Sequence, residues 1–341
     1  MAWHRYLPLL LTLSACASYT PAPLPVPDLA RPAVQASDLP ADADAHALLQ
    51  LALAHDPAVA AARATLAAAL SSEKGARNLP PLSLTLTAEY SKDSDPERPW
   101  LYGGAVGIPL DVGAKRAARV TSADLNVIRA RYALAEAVWA VRQRLYQSLN
   151  DLSLAQDDIN LNQTLLDQRQ SYQSVMQKRV AHGEEAQGLN AQAALDVSGA
   201  RQGLAQAEAR KTQAIAALAR ALDTDPATVA NLAPVRMNFL ATTDAQLADM
   251  TDKALYTRAD VLLAVVDYDM SENALRSAVA AQYPDINIQP GYTWERGAVK
   301  LPLSLSLTLP PIDGNRAVIN AAQNTRMAAG KTLEDLVKTI R

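Results

Sequence analysis

Four histidines and one cysteine are the side chains best suited to metal or nucleophilic chemistry in this chain of 341 residues. His182 comes nearest to a ligand set, standing two and three residues before Glu184 and Glu185 in Ala181-His182-Gly183-Glu184-Glu185-Ala186-Gln187-Gly188. Imidazole and carboxylates could share a divalent ion, but a charged segment with two glycines reads first as a solvated reversal of the chain. No nucleophile elbow, phosphate loop or paired metal ligands is present, and Asp and Glu are spread along helical stretches as solvated faces. A net charge of -3 supplies no basic patch for nucleic acid. The expectation is therefore a non-enzymatic protein with no catalytic residue, no metal centre, no cofactor and no nucleic-acid partner.

Cys16 is the only cysteine, so it has no internal disulfide partner. It follows a short positive region at Arg5 and an apolar run over 6–13, which is too short to span a bilayer but suits a secretory signal. Leu13-Ser14-Ala15-Cys16 resembles a bacterial lipobox, which predicts a signal peptide over 1–15 and a lipid on the Cys16 sulfur. Ala17 and Ser18 provide no Asp after the cysteine to retain a lipoprotein at the inner membrane, so the outer membrane is the expected address. Residues 16–45 form a Pro-rich spacer without a packed core of its own.

The elements that would carry any function are long. Apolar residues make up 49% of the chain but aromatic residues only 5%, a composition that suits closely packed helices. No proline occurs between Pro109 and Pro226, so one helix is predicted over 114–180, roughly 100 Å long, with a return over 187–222. One apolar seam runs through Val138, Val141, Leu145, Leu149, Leu152, Ile159 and Leu166, extended by Gln156, Gln163, Gln170 and Gln177. A second, on a different side, runs through Leu154, Leu161, Leu165, Tyr172 and Met176. Two seams call for a neighbour on each flank, as in a cylinder of helices.

Strands flank this rod. Leu82, Leu84, Leu86, Ala88 and Tyr90 alternate with Ser83, Thr85, Thr87 and Glu89; after a polar turn, Trp100, Tyr102, Val106, Ile108 and Leu110 share a face. The design recurs about 200 residues later. Ile286, Ile288, Pro290, Tyr292 and Trp294 alternate with polar residues, and Leu301, Leu303, Leu305, Leu307 and Leu309 do so after a turn near Gly297. In each copy a helix leads in (46–78 in the first), and a Gly followed two residues on by a basic residue leads out. The boundaries that follow are a first repeat over 46–245, with a β-hairpin at 82–110, a helical hairpin at 114–222 and a linker, and a second over 246–341 with a β-hairpin at 284–310.

Each strand is about the length that crosses a bilayer when tilted. Four such strands leave two bare edges, which lipid cannot satisfy. Three chains would close a twelve-stranded barrel, with Tyr90, Trp100, Tyr102, Tyr292 and Trp294 as interfacial aromatics. The fold class is thus mainly α with a small membrane β part: a helical hairpin plus four transmembrane strands in two repeats.

Here the sequence resembles the TolC family of outer-membrane efflux proteins. The stretch from Pro109-Leu110-Asp111-Val112-Gly113-Ala114-Lys115 to Val120 is similar to the strand-to-helix junction of heavy-metal-exporting members. Arg258-Ala259-Asp260-Val261 resembles the family's Arg-Pro-Asp-Leu signature, with Ala259 in place of the proline. Arg179-Val180-Ala181-His182-Gly183 is similar to the periplasmic tip. The resemblance implies a homotrimeric exit duct that works with a periplasmic adaptor and an inner-membrane pump, with an adaptor-docking tip at Arg179, His182, Gly183, Glu184 and Glu185. The family pattern continues the second helical hairpin past residue 341, so the second repeat is expected to be incomplete, truncated on its C-terminal side. The competing expectation is an adaptor-like or structural helical lipoprotein without channel activity.

Overall fold

The computed structural model describes residues 20–21, 34–39, 44–92, 99–232, 235, 242–295 and 297–340. The protein divides into two units, 1–33 and 34–341. In the first, only the exposed Thr20 and Pro21 are described, and Cys16 and the signal region lie outside the described residues.

In the second unit, α1 (Ala45–His55) and α2 (Pro57–Arg77) come first. The single helix expected over 46–78 is broken between them. Asp56 takes an extended conformation and its carboxylate accepts the Ala58 and Val59 N–H groups at 2.8 and 3.2 Å, while Pro57 opens the next helix without a donor to lose. Strands β1 (Ser83–Tyr90) and β2 (Trp100–Leu110) lead into α3 (Lys115–Ala181), a helix of 67 residues. Gly183, at φ 75°, lies in the reversal, and α4 (Gln187–Leu222) returns alongside. A one-turn α5 (Pro226–Val229) follows, then α6 (Asp244–Thr257), α7 (Ala259–Ala280), β3 (Asp285–Glu295), β4 (Ala298–Lys300), β5 (Leu303–Thr308) and α8 (Arg316–Ile340).

The first seam of α3 meets α4. Val141, Leu145, Leu149 and Leu152 are buried with Leu218 and Leu222 from α4, Leu48 and Ala52 from α1, Val59 from α2 and Val229 from α5. Farther along, Leu166 packs with Val197 and Ala200, and Lys211 donates to Gln156 Oε1 at 2.8 Å. Among the described residues the second seam is left open: Leu154, Leu161, Leu165 and Tyr172 are all exposed. Met176, assigned to that seam, is buried instead. Seven residues fall about 20° short of two full turns, so the buried face drifts round a straight helix and reaches Met176 near the tip.

The two β-hairpins form one antiparallel sheet in the order β1-β2-β3, with β4 and β5 both on the far side of β3. The expected fourth strand is two pieces, because the Leu301-Pro302 step interrupts its ladder. The register is continuous across the gap, since Thr293 faces Lys300 and Pro290 faces Leu303, and Gly291 N–H donates to the Pro302 carbonyl at 2.8 Å.

The repeat extends to backbone conformation. Gly113-Ala114 and Gly314-Asn315 are all left-handed, with φ between 61° and 72°, one residue pair before α3 and the other before α8. Their surroundings differ: a Cβ on Gly113 would come within 2.7 Å of the Tyr283 ring, whereas one on Gly314 would meet open space. Gly113→Ala is expected to destabilise by about 2–4 kcal/mol, from conformational strain plus crowding, and Gly314→Ala by about 1–2 kcal/mol from strain alone. Thermal melts in detergent followed by circular dichroism check the difference, and equal losses would contradict the role given to Tyr283.

Candidate functional site

The sheet is the part of the molecule that a soluble fold would bury, and it is open on its apolar side. The register sets Leu84, Leu86, Ala88 and Tyr90 opposite Val106, Gly104, Tyr102 and Trp100. It then places Ile288 and Ile286 beside Ile108 and Leu110, and Leu305 and Leu307 beside Ile288 and Ile286. Every one of these pairings stays on one face. Leu84 and Leu86 are 68% and 76% exposed, and Leu303 and Leu305 are 74% and 59% exposed, so no core among the described residues covers them. Among the described residues no helix is long and apolar enough to cross a membrane.

The predicted aromatic group gathers at the turn end of this face. Tyr90 meets Trp100 edge-on at 5.1 Å between ring centroids, Trp100 stacks on Tyr102 at 5.8 Å, and Tyr102 on Trp294 at 6.1 Å. Tyr292 sits two pairs farther from the turn than Trp294, opposite Gly104.

The other face carries Ser83, Thr85, Thr87, Asn287, Gln289, Thr293, Ser304 and Ser306. Between these polar residues lies a floor of small ones that the alternation pattern did not single out: Gly103, Ala105, Gly107 and Gly291. A Cβ on Gly107 would come within 2.2 Å of Ser83 Oγ, one on Gly103 within 3.2 Å of Thr293 Oγ1, and one on Gly291 within 3.2 Å of Ala105 Cβ. On the apolar face a Cβ on Gly104 would meet Leu86 at an ordinary 3.4 Å, so the tightest approaches at the strand glycines fall on the polar face, which suits a sheet curling toward that side. Glycines inside strands were the available signal.

Polar contacts join the base of the sheet to the helices. Lys115 Nζ bonds the Tyr283 carbonyl and Asp285, at 2.8 and 2.7 Å; Asn273, buried, donates to the Ala118 carbonyl at 2.8 Å; and Asn315 donates to the Ala278 carbonyl. Lys115 thus ties α3 to β3, and the two asparagines tie α7 to α3 and to the start of α8. Near the middle of the rod, Val34 is fully buried. Its N–H donates to the Asp223 carbonyl and its own carbonyl accepts Thr224 Oγ1, so the chain is fixed at Val34 to the end of α4. The sequence pattern gave no hint of this pin, because a lone valine among prolines carries no periodicity.

The joint between α6 and α7 keeps the family-like break without its proline. Arg258 stays extended and forks onto Asp260, at 3.0 and 2.6 Å. That hydrogen bond holds the Asp260 carboxyl below the usual aspartate range. Glu272 is likewise lowered, chiefly by its hydrogen bond from Arg326 on α8. Both carboxyls bind protons less readily folded than unfolded, so their contribution to stability is full above the ordinary carboxylate range and is lost as pH falls through the lowered values. Acid melts stepped below neutral are expected to lose stability less steeply in Asp260→Asn, by at most about 1 kcal/mol for so exposed a pair; an unchanged slope would show that the pair does not titrate with folding.

At the opposite end of α3, Arg179 lies 3.4 Å from Glu184 and 3.3 Å from Glu185, and His182 caps the helix. The two carboxylates that could have joined His182 in a metal site are turned to a guanidinium. The reversal brings all five tip residues together, with Arg179, His182, Gly183 and Glu184 exposed and Glu185 half-buried.

Comparison with known proteins agrees with this architecture. No curated protein sequence matches significantly, but solved structures do. The outer membrane protein VceC of Vibrio cholerae superposes with a TM-score of 0.70 at 18% identity, over 86% of this chain and 75% of VceC. The outer-membrane channel OprN gives 0.72 at 18% identity, over 86% and 71%. CusC, whose structures concern the conformational changes accompanying folding and transmembrane channel formation, gives 0.67 at 15% identity, over 95% and 80%. The sequence profile of the outer membrane efflux protein family matches residues 48–224, just over half of the sequence, and the chain therefore belongs to the outer membrane efflux protein family.

Proposed function

We propose that this protein is the outer-membrane exit duct of a tripartite efflux system. Three copies close a barrel around the sheet's polar face, and the helical hairpins carry the passage on into the periplasm. Conduction is passive: an inner-membrane pump supplies the energy, and a periplasmic adaptor docks at the knob of Arg179, His182, Gly183, Glu184 and Glu185. Cys16 bears the lipid that anchors the spacer after removal of residues 1–15, and Tyr90, Trp100, Tyr102, Tyr292 and Trp294 sit at the membrane interface.

The single observation that supports this reading best is the sheet with one exposed apolar face, two unpaired edges and small residues on its polar side. A lipid environment satisfies the first and a ring of copies the second. The uncovered second seam of α3 asks for a neighbouring helix along the same ring. An adaptor-like lipoprotein accounts for a helical hairpin but not for two strand hairpins hydrogen-bonded to each other through β2 and β3. The strand-to-helix junction at Pro109 to Val120, similar to that of metal exporters, inclines the cargo toward divalent cations.

Detergent-extracted protein tests the duct directly. It is expected to migrate as a trimer in SDS until boiled, and as a monomer afterwards; a monomer at all temperatures would remove the closed barrel. A deletion strain is expected to lose zinc and cobalt tolerance, and a loss of drug tolerance alone would reassign the cargo.

A further inference from the structure

Each copy presents two bare strand edges, β1 on one side and β4 with β5 on the other, and the backbone dictates how they can meet. Gly291 donates to the Pro302 carbonyl, so even-numbered residues of the β4–β5 strand point their backbone groups inward at β3. Its odd-numbered residues, Leu301, Leu303, Leu305 and Leu307, turn theirs to the free edge. Carrying the same alternation back through the registers of β3 with β2 and of β2 with β1 turns the backbone groups of Leu84, Leu86, Ala88 and Tyr90 to the opposite free edge. These eight residues are also the ones whose side chains lie on the apolar face. Hydrogen-bond pairing and face matching therefore impose one condition: an even residue of β1 must stand opposite an odd residue of β5.

Barrel geometry narrows the choice. With strands about 4.8 Å apart and residues rising about 3.3 Å, a twelve-stranded barrel tilted about 35–45° shifts by about 12–17 residues per circuit. Threefold symmetry allots about 4–6 of these to each protomer. Within one protomer the perpendicular path from Leu84 runs through Val106 and the level of Pro290 to Leu303. An even offset of four returns Leu303 opposite Ala88 of the next copy. An offset of six returns it opposite Tyr90, which pushes Ser83 and Leu84 past the end of β5 at Thr308.

We infer that β1 of one copy pairs antiparallel with β5 of the next in the register Ser83–Thr308, Thr85–Ser306 and Thr87–Ser304. In this register all eight residues of β1 find partners. Leu84 meets Leu307 and Leu86 meets Leu305 on the lipid side, while three hydroxyl pairs face the lumen, a favourable cross-strand combination. This inference rests on the trimeric duct proposed above and specifies the seam that closes it.

Disulfide trapping tests it in intact outer membranes. Thr85 and Ser306 point their backbone groups away from the seam, so they form a non-hydrogen-bonded pair with the short spacing that a disulfide accepts. The double variant Thr85→Cys/Ser306→Cys under mild oxidant is expected to give covalent dimers and trimers that survive boiling in SDS without reductant. The pairs Thr85→Cys/Ser304→Cys and Thr85→Cys/Thr308→Cys, displaced to roughly 7–8 Å, are expected to give at least tenfold less. Single-cysteine variants give the background, including any from Cys16. Preferential trapping through Ser304 or Thr308, or none through any pair, in protein that still migrates as an SDS-resistant trimer overturns the register and leaves the duct standing. Loss of the trimer in the unsubstituted protein overturns the duct itself.

Discussion

Leu86→Arg is expected to abolish the SDS-resistant oligomer, while Thr87→Arg on the neighbouring residue leaves it in place. The two positions share a strand, both are exposed, and they differ only in the face they occupy. If the apolar face meets lipid, an arginine near the middle of β1 costs about 2–4 kcal/mol in each copy, and a threefold assembly incurs it three times. On the polar face the same guanidinium meets water and costs little. Heat-modifiable migration of membrane extracts reads the difference. Equal effects would show that neither face of β1 is in lipid.

The second large effect lies in the rod. Leu145→Ala and Leu218→Ala each remove a fully buried side chain at the point where α1, α2, α3, α4 and α5 converge. Each is expected to destabilise by about 2–5 kcal/mol, set by how far the surrounding leucines collapse into the space. Leu161→Ala, on the uncovered second seam and 67% exposed in the single protomer, separates the two kinds of apolar contact. It is expected to leave the thermal stability of a dissociated monomer within about 0.5 kcal/mol and to lower the temperature at which the oligomer comes apart. Chemical denaturation monitored by circular dichroism, beside heat-stepped gels, distinguishes these outcomes. A Leu161→Ala monomer as unstable as Leu145→Ala would place the second seam inside the protomer's own core.

Much of this architecture was legible because it follows from simple exclusions. The absence of proline between Pro109 and Pro226 left α3 and α4 uninterrupted except at Gly183, and the period-two pattern at Leu82 to Tyr90 could not be a helix. The recurrence of Gly113 and Gly314 before a basic residue marked both strand-to-helix junctions, where the structure places left-handed residues.

What local pattern concealed has equally definite causes. Asp56-Pro57 carried a helix start signal, but strong helix formers on both sides masked the break. Pro302 split a strand whose leucine alternation continued across it. Met176 moved between seams through a drift that counting in sevens conceals. The contact of Gly113 with Tyr283, the pin at Val34, and the placing of Arg142 over Trp139 and Tyr146, at 5.0 and 5.1 Å, depend on neighbours or rotamers that no local pattern encodes. At the tip, the pairing of Arg179 with Glu184 and Glu185 was open to the same objection, since a metal set and an ion pair share these residues.

Cysteine scanning across β1 in outer-membrane vesicles, with a membrane-impermeant maleimide as the label and the unsubstituted protein as background, is the most direct test that these ribbons form the wall of a membrane duct. Single cysteines at Ser83, Thr85 and Thr87 are expected to react and those at Leu84, Leu86 and Ala88 to be protected, in strict alternation. Uniform labelling of all six positions would mean that both faces of the sheet stand in water, and would contradict the account.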